Sequence, residues 1–353
     1  MRDKELKRVL VYGEYSGYGK SLVDGFRENG YEAAVFSFDN DAWKNISIDI
    51  SLPNVNWFFK LYYLIKLLPE LGQYDVVYIM NPQFLSLKRI GPIVATYFKW
   101  KNIEINLLCC GDDCEYIKLE TDSNFEGWVY KNISLPRTNY FKRWIDWAVN
   151  NQIASISKSI IPTMYDYSYG WRRSKFKDKV TETIPLACDY KSESISFEIK
   201  DKVKILHGIN RPDVKGSKVI LSALKRIKSE YSNVEILEAN RLSFDKYINL
   251  LRESDIVIDQ CRSNSYGMNG IFAMFCGSIL LSSFSREAKE DLGINNSPVI
   301  SIIEDEDVIY NKLCEVLNMK KFEMEKIKRE TYDFAYSLHD SKKVAKKILD
   351  TRN

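Results

Sequence analysis

Residues 204–216 read KILHGINRPDVKG. A short apolar run ends in histidine and glycine, and a polar loop follows that closes on proline, lysine and glycine. Lys204–His207 has the character of a strand, and Gly216–Tyr231 has the periodicity of a helix. The stretch therefore reads as strand, loop and helix N-terminus, with Arg211 and Lys215 beside the positive end of that helix. Two cations and free backbone N–H groups read either as a place for a diphosphate, because negative charge is favoured there, or as two solvated loop charges. His207 is expected at the same edge.

Strand–helix alternation continues in both directions from this point. Upstream, Lys7–Tyr12, Tyr31–Phe38, Asp75–Met80 (DVVYIM) and Ile103–Cys110 (IEINLLCC) read as strands, with Ala154–Ile161 and Thr183–Ala187 as later, shorter ones. Downstream, Val234–Glu238, Asp255–Asp259, Ile279–Ser282 and Val299–Ile302 do the same. Helices are expected at Lys20–Asn29, Ser243–Arg252, Gly270–Phe275 and Arg286–Leu292. Continuous apolar runs flanked by helices fit parallel sheets covered on both faces. Asp189–Asp201 (DYKSESISFEIKD) is polar and serine-rich and reads as an interdomain linker. The expected division is an N-terminal domain over 1–189, a C-terminal domain over 203–325, and C-terminal helices over 326–353 that pack back towards the first domain. Two α/β domains of this kind form a cleft, with ligands outside the carboxyl ends of the strands.

The 353 residues are ample for two cores. With 45% hydrophobic and 28% charged residues the chain is globular, and a formal charge of +3 argues against a dedicated nucleic-acid binder. The seven cysteines are scattered, mostly inside apolar runs, and read as small buried hydrophobes in a reducing compartment. Cys110 and Cys114 have no matching ligand pair, so no metal site is expected. The opening MRDKELKRVLVYG lacks a secretory pattern, and no stretch reaches about 18 apolar residues. A cytoplasmic protein is expected, with association to the inner face of the cell membrane left open.

Three N-terminal features bear on binding. Gly13, Gly17 and Gly19 follow the first strand without the dinucleotide spacing, and Asp39 and Asp41 past the second strand do not clearly fill the ribose role. The loop is read either as a tight turn or as a cleft lining beside a sugar or phosphate, with Gly17 at its centre. Asp113, in CGDD after the fourth strand, suits sugar hydroxyls, catalysis or a helix cap. Trp57–Leu68 (WFFKLYYLIKLL) is aromatic and apolar and carries Lys60 and Lys66. It reads as a helix buried beside the sheet or as an interfacial helix meeting a bilayer or a lipid-linked acceptor. The basic stretch Arg172–Lys179 is a solvated turn or a second contact with anionic lipid.

Near the end, Ser263–Gly277 reads SNSYGMNGIFAMFCG, a glycine-punctuated loop running into an apolar helix without one charged side chain. HGINRPDVKG, DIVIDQ at Asp255–Gln260, Tyr266-Gly267 with Ala273-Met274 and Gly277, IPLACD at Ile184–Asp189, Cys110-Gly111 with Asp113, and YSLHDS at Tyr336–Ser341 recur in one order. Together they resemble the retaining glycosyltransferases of family 4 (group 1), over almost the whole chain. The resemblance implies a GT-B fold, two Rossmann-like domains facing across a cleft, with the acceptor on the N-terminal side and the donor on the C-terminal side. It implies transfer of a sugar from a UDP- or GDP-sugar to a saccharide or lipid-linked saccharide acceptor in bacterial surface polysaccharide synthesis. No tightly bound cofactor, metal or nucleic acid enters. Arg211 and Lys215 take the catalytic role at the diphosphate. Gly17, Asp113, His207, Asn264, Tyr266, Gly267, Met268, Asn269, Gly270 and Phe272 line the donor site.

The pattern departs from the family at two positions. Where the family carries two glutamates eight residues apart, for the donor sugar and the ribose, this chain has Asn264 and Phe272. Losing a charged hydrogen bond costs about 1.5–3 kcal/mol, roughly ten- to hundredfold in affinity. Asn240, Arg241 and Glu287 are conceivable replacements. His339 reads as structural. A non-catalytic homologue, binding or scaffolding within a transferase complex, is the alternative.

Overall fold

The computed structural model describes residues 7–37, 47–85, 90–190, 195–239 and 242–351. Asp39, Asp41, Asn240 and Arg241 lie outside them. The chain divides into two compact units: 1–122, 135–189 and 340–353 form the first, and 123–134 with 190–339 form the second. Of the expected C-terminal helices over 326–353, residues up to His339 belong to the second unit and only those from Asp340 to the first.

In the first unit the elements run β1 (Arg8–Tyr12), α1 (Tyr18–Glu28), β2 (Glu32–Ser37), β3 (Ile50–Ser51), α2 (Trp57–Leu71), β4 (Val76–Ile79), α3 (Gly91–Trp100), β5 (Glu104–Cys109), α4 (Cys114–Lys118), α5 (Trp144–Ile156), β6 (Ile160–Pro162) and α6 (Tyr165–Arg172). The strands form one parallel sheet in the order β3-β2-β1-β4-β5-β6, with Val9 opposite both Ala33 and Val76. β4 is buried along its whole length, as a central strand covered on both faces must be. Leu64 and Leu71 of α2, Val94 and Phe98 of α3, and Val149 and Ile153 of α5 share one core cluster with Leu10, Val77 and Leu107 of the sheet.

In the second unit follow β7 (Val203–Gly208), α7 (Pro212–Lys215), α8 (Ser217–Glu230), β8 (Val234–Ala239), α9 (Phe244–Glu253), β9 (Ile256–Ile258), α10 (Met268–Phe275), β10 (Ile279–Ser282), α11 (Arg286–Asp291), β11 (Ile300–Ser301), α12 (Glu306–Leu317) and α13 (Lys321–His339). This sheet is also parallel, in the order β11-β10-β9-β7-β8, with Ile205 opposite Ile256. Its core gathers Ile205, Ile220, Leu224, Ile256, Ile258 and Leu281. The last helix, α14 (Ser341–Asp350), packs on α1 in the first unit, where a Cβ on Gly25 would lie 2.1 Å from the Ser341 carbonyl oxygen.

The alternation expected from the sequence is present in both halves, and three local readings change. Ala154–Ile156 is the end of α5, so the strand begins only at Ile160. Thr183–Ala187 is not a strand: Ile184 donates to the Pro162 carbonyl, and Pro185 has no N–H to continue a ladder. Asp189–Asp201 is no free linker in its described part. Ile195 and Phe197 lie against Gly277, and Ile199 is buried in the second core.

Candidate functional site

The site is built at the carboxyl edge of the second sheet. After Gly208 the chain turns through Arg211, whose backbone sits in the left-handed region at φ 63°. Pro212 opens α7, a single turn, and Gly216 breaks it at φ 73° before α8 begins. Only glycine fits there: a Cβ would stand 2.4 Å from the Cys261 sulfur as well as in a left-handed backbone. The break leaves Arg211 exposed and turns Lys215 inward.

Lys215 is 6% exposed, and its ammonium donates to Asp259 Oδ1 at 2.9 Å. Asp259 follows β9 and is 1% exposed. The same Oδ1 accepts from Asn269 Nδ2 at 2.8 Å, and Oδ2 accepts from the Gly267 N–H at 3.1 Å. Burial alone would raise the Asp259 pKa, but the Lys215 charge and these donors outweigh it and hold the pKa below the usual value. One carboxylate thus ties the lysine of α7 to the N-terminus of α10. The Tyr247 hydroxyl donates to the Asn269 side-chain oxygen and extends the network.

His207 is 2% exposed. Its Nδ1 lies 2.8 Å from the Ile258 carbonyl, which can only accept, so Nδ1 carries the hydrogen. Nε2 then accepts from the Ser217 hydroxyl at 2.8 Å. Burial, and after it the neighbouring Lys215 charge, depress its pKa to about 4 despite the bond to Ile258. The ring is a neutral brace between β7, β9 and the first residue of α8.

The loop before α10 is held as firmly. Gln260 Nε2 donates to Ser263 Oγ at 2.7 Å and to the Ser265 carbonyl at 2.6 Å. Tyr266 is buried, its hydroxyl 2.9 Å from His339 Nε2, so His339 is a bonded structural residue as its sequence context suggested. Gly267 is the N-cap of α10, followed by Met268, Asn269 and Gly270 in the first turn. At Gly270 a Cβ would come within 3.1 Å of Leu280 and 3.3 Å of Asp259 Oδ2.

The two positions that depart from the resembled family are occupied by the chain itself. Asn264 Nδ2 donates to the Glu126 carbonyl at 2.7 Å, and a Cβ on Gly127 would stand 2.7 Å from the same nitrogen. Residues 123–134 thus lie as a strap over the loop. The Lys131 carbonyl of that strap accepts from Arg262, which also pairs with Glu304. Beside it a depression of about 380 Å³ is lined by Ile133, Pro212, Ser217, Val219, Arg262 and Glu304. Phe272 packs edge-on against Phe244 and Tyr190, an aromatic cluster.

Gly17 and Asp113 belong to the first unit, and both do structural work there. Gly17, at φ 91°, caps α1, and its N–H donates to the Glu14 carboxylate, which also accepts from the Lys20 N–H at 2.8 Å. The chain's own anion therefore takes the helix N-terminus. Asp113 is 1% exposed, caps α4 through the Tyr116 N–H, and accepts from Trp171 Nε1 at 2.8 Å. Of the alternatives read for Asp113, the cap is what the geometry contains.

The network brings Lys215, Gly267 and Asn269 onto Asp259, with His207 and Tyr266 bracing the same edge. Asp259 is the residue that sequence reading passed over. An acid ending an apolar strand at a carboxyl edge is the available signal. Glu287 is exposed in the first turn of α11, which Ser285 caps. Among the described residues no group of His, Cys, Asp and Glu is arranged to hold a metal ion.

No family profile matches the sequence, and no curated protein matches it at a significant level. Solved structures do match in fold. HepE of Anabaena in complex with UDP and glucose superposes with TM-score 0.63 at 13% identity, over 98% of this chain and 99% of that one. Sucrose-phosphate synthase from Thermosynechococcus elongatus gives 0.63 at 11%, over 98% of each. A glycosyltransferase from Rickettsia africae gives 0.60 at 13%, over 99% of this chain and 98% of that one. At such identity the likeness establishes the architecture alone, and that architecture is the two-domain, parallel-sheet fold of the GT-B class.

Proposed function

We propose that the chain is a nucleotide-sugar-dependent glycosyltransferase, of the kind grouped in family 4. The observation that carries the reading is the Asp259 network, which sets Lys215 and the N-terminus of α10 at one sheet edge beside the exposed Arg211. Breaking the anomeric bond of a sugar nucleotide develops negative charge on the departing diphosphate. Arg211 and the first-turn N–H groups of α10 meet that charge. Lys215 spends one of its three N–H donors on Asp259 and offers the rest. Because Asp259 offsets the lysine charge, Lys215 contributes directional donors more than net positive potential, and Arg211 supplies the latter. Met268 and Gly270 shape the wall of the donor pocket. The acceptor, a saccharide or lipid-linked saccharide of bacterial surface polysaccharide, is assigned to the first unit. Transfer proceeds with retention, the departing phosphate taking the acceptor proton.

Calorimetric titration with UDP-, GDP- and ADP-sugars tests the reading, with one nucleotide class expected to bind at micromolar to millimolar levels, the common range of KM. A folded protein that binds none of them overturns it. A second reading is favoured by Asn264 and Phe272, whose side chains are engaged by Glu126 and by an aromatic cluster. In it the chain binds donor without turnover, as a subunit of a transferase complex. Product formation with any donor and acceptor rules that out.

A further inference from the structure

Helix α2 breaks the rule that a surface helix turns its apolar side inward. Leu64 and Leu71 are its buried residues. Phe58 is 63% exposed, Phe59 57%, Tyr62 49% and Ile65 57%. Phe58, Tyr62 and Ile65, spaced by four and three, form one outward stripe. The neighbouring helix α3 adds to it. Tyr97 of α3 donates to the Leu68 carbonyl of α2 at 3.1 Å, while Ile93 and Trp100 are 69% and 74% exposed. An apolar surface of this extent, carried on two adjacent helices, marks an interaction site.

The charges identify the occupant. Residues 57–71 and 91–101 carry Lys60, Lys66, Lys99 and Lys101 against the single acid Glu70. Lys66 Nζ stands 4.5 Å from the Tyr62 ring centre, and Lys101 Nζ 5.1 Å from that of Trp100. Cationic heads beside exposed aromatic rings match the boundary between acyl chains and anionic headgroups. In the other basic stretch two of the cations are engaged within the fold. Lys179 caps the end of α5 through the carbonyls of Ala154, Ser155 and Ser157, and Arg173 stacks on Tyr169. No described helix is long and apolar enough to cross a membrane.

We infer that the outer face of α2 and α3 docks on an anionic lipid surface, the rings of Phe58, Tyr62, Ile65 and Trp100 entering the headgroup boundary and Lys66 and Lys101 pairing with phosphates. The inference stands apart from the transferase reading, because its tests contain no turnover. In cosedimentation of the full chain, vesicles of phosphatidylcholine with phosphatidylglycerol capture the protein and phosphatidylcholine alone captures it weakly. Phe58→Ser with Ile65→Ser and Trp100→Ser lowers the partition at least about tenfold. Lys66→Glu with Lys101→Glu lowers it roughly fivefold or more and flattens its salt dependence. These side chains point outward, so unchanged thermal unfolding verifies the fold of each variant. Hydrogen exchange on vesicles slows at 57–71 and 91–101. Absence of capture by anionic vesicles, equal capture of the variants, or protection confined to other segments overturns the inference. So does a concentration-dependent dimer, seen by sedimentation velocity without vesicle binding, that the triple variant abolishes.

Discussion

At the scale of single residues, the buried Lys215–Asp259 pair and the exposed Arg211 behave oppositely. Both cations lie in one short stretch of sequence, 211–215. The structure separates them. Lys215→Ala strands a buried carboxylate, which costs about 3–5 kcal/mol of stability. Lys215→Met combined with Asp259→Asn restores most of it, as urea unfolding should record, whereas additive losses would deny the coupling. Arg211→Gly removes a cation and relieves a left-handed backbone, so stability should rise by about 1 kcal/mol while donor affinity falls. His207 sets a pH dependence. Its folded pKa, about 4, lies below its ordinary value of 6.5, so its contribution is present above 6.5 and is lost as pH falls towards 4. The amount is on the order of 3 kcal/mol. Asp113 acts in the opposite sense: burial pushes it up to about 7, so its contribution falls as pH rises from about 4 to about 7. Thermal unfolding of His207→Gln across pH 4–7 should therefore show a shallower acid loss than wild type. An identical slope would mean that His207 titrates normally.

At the scale of elements, two close approaches decide what packs where. Gly127, at φ 73°, lets the strap of residues 123–134 lie on Asn264. Gly127→Val fits neither the backbone nor the 2.7 Å gap, and should lift the strap at a cost of about 1–3 kcal/mol. Limited proteolysis would show faster cleavage within 123–134, and an unchanged rate would deny the packing. If Asn264 is then released to a donor hydroxyl, sugar-nucleotide affinity rises in the same variant. Gly25 plays the equivalent part for α14, since any side chain there meets the Ser341 carbonyl. Neither partner is a sequence neighbour, so neither approach is legible from local pattern.

At the scale of the molecule, each unit has its own core. Calorimetry should resolve two unfolding transitions. Ile258→Ala, inside the second core, should lower only one of them. A bound nucleotide sugar at about a hundredfold its Kd should stabilise that same unit by about 2.7 kcal/mol. Donor-dependent movement of the other transition alone would move the donor site to the first unit.

Apolar runs in DVVYIM, KILHG and DIVID, separated by helical periodicity, determined two parallel α/β layers from sequence alone, because buried strands and their crossover helices are local patterns. The alternation of Ile195, Phe197 and Ile199 was equally available, but the surrounding serines and charges gave it the look of a linker. The glycine loop and its lack of charge were also legible. That Lys215 is neutralised by Asp259, 44 residues away, was not. Nor was the capture of Asn264 by Glu126, 138 residues away, or the outward turn of Phe58 and Tyr62. A side chain's charge is written in the sequence. Its partner and its exposure are set by which distant surfaces close against it, and only the tertiary structure decides that.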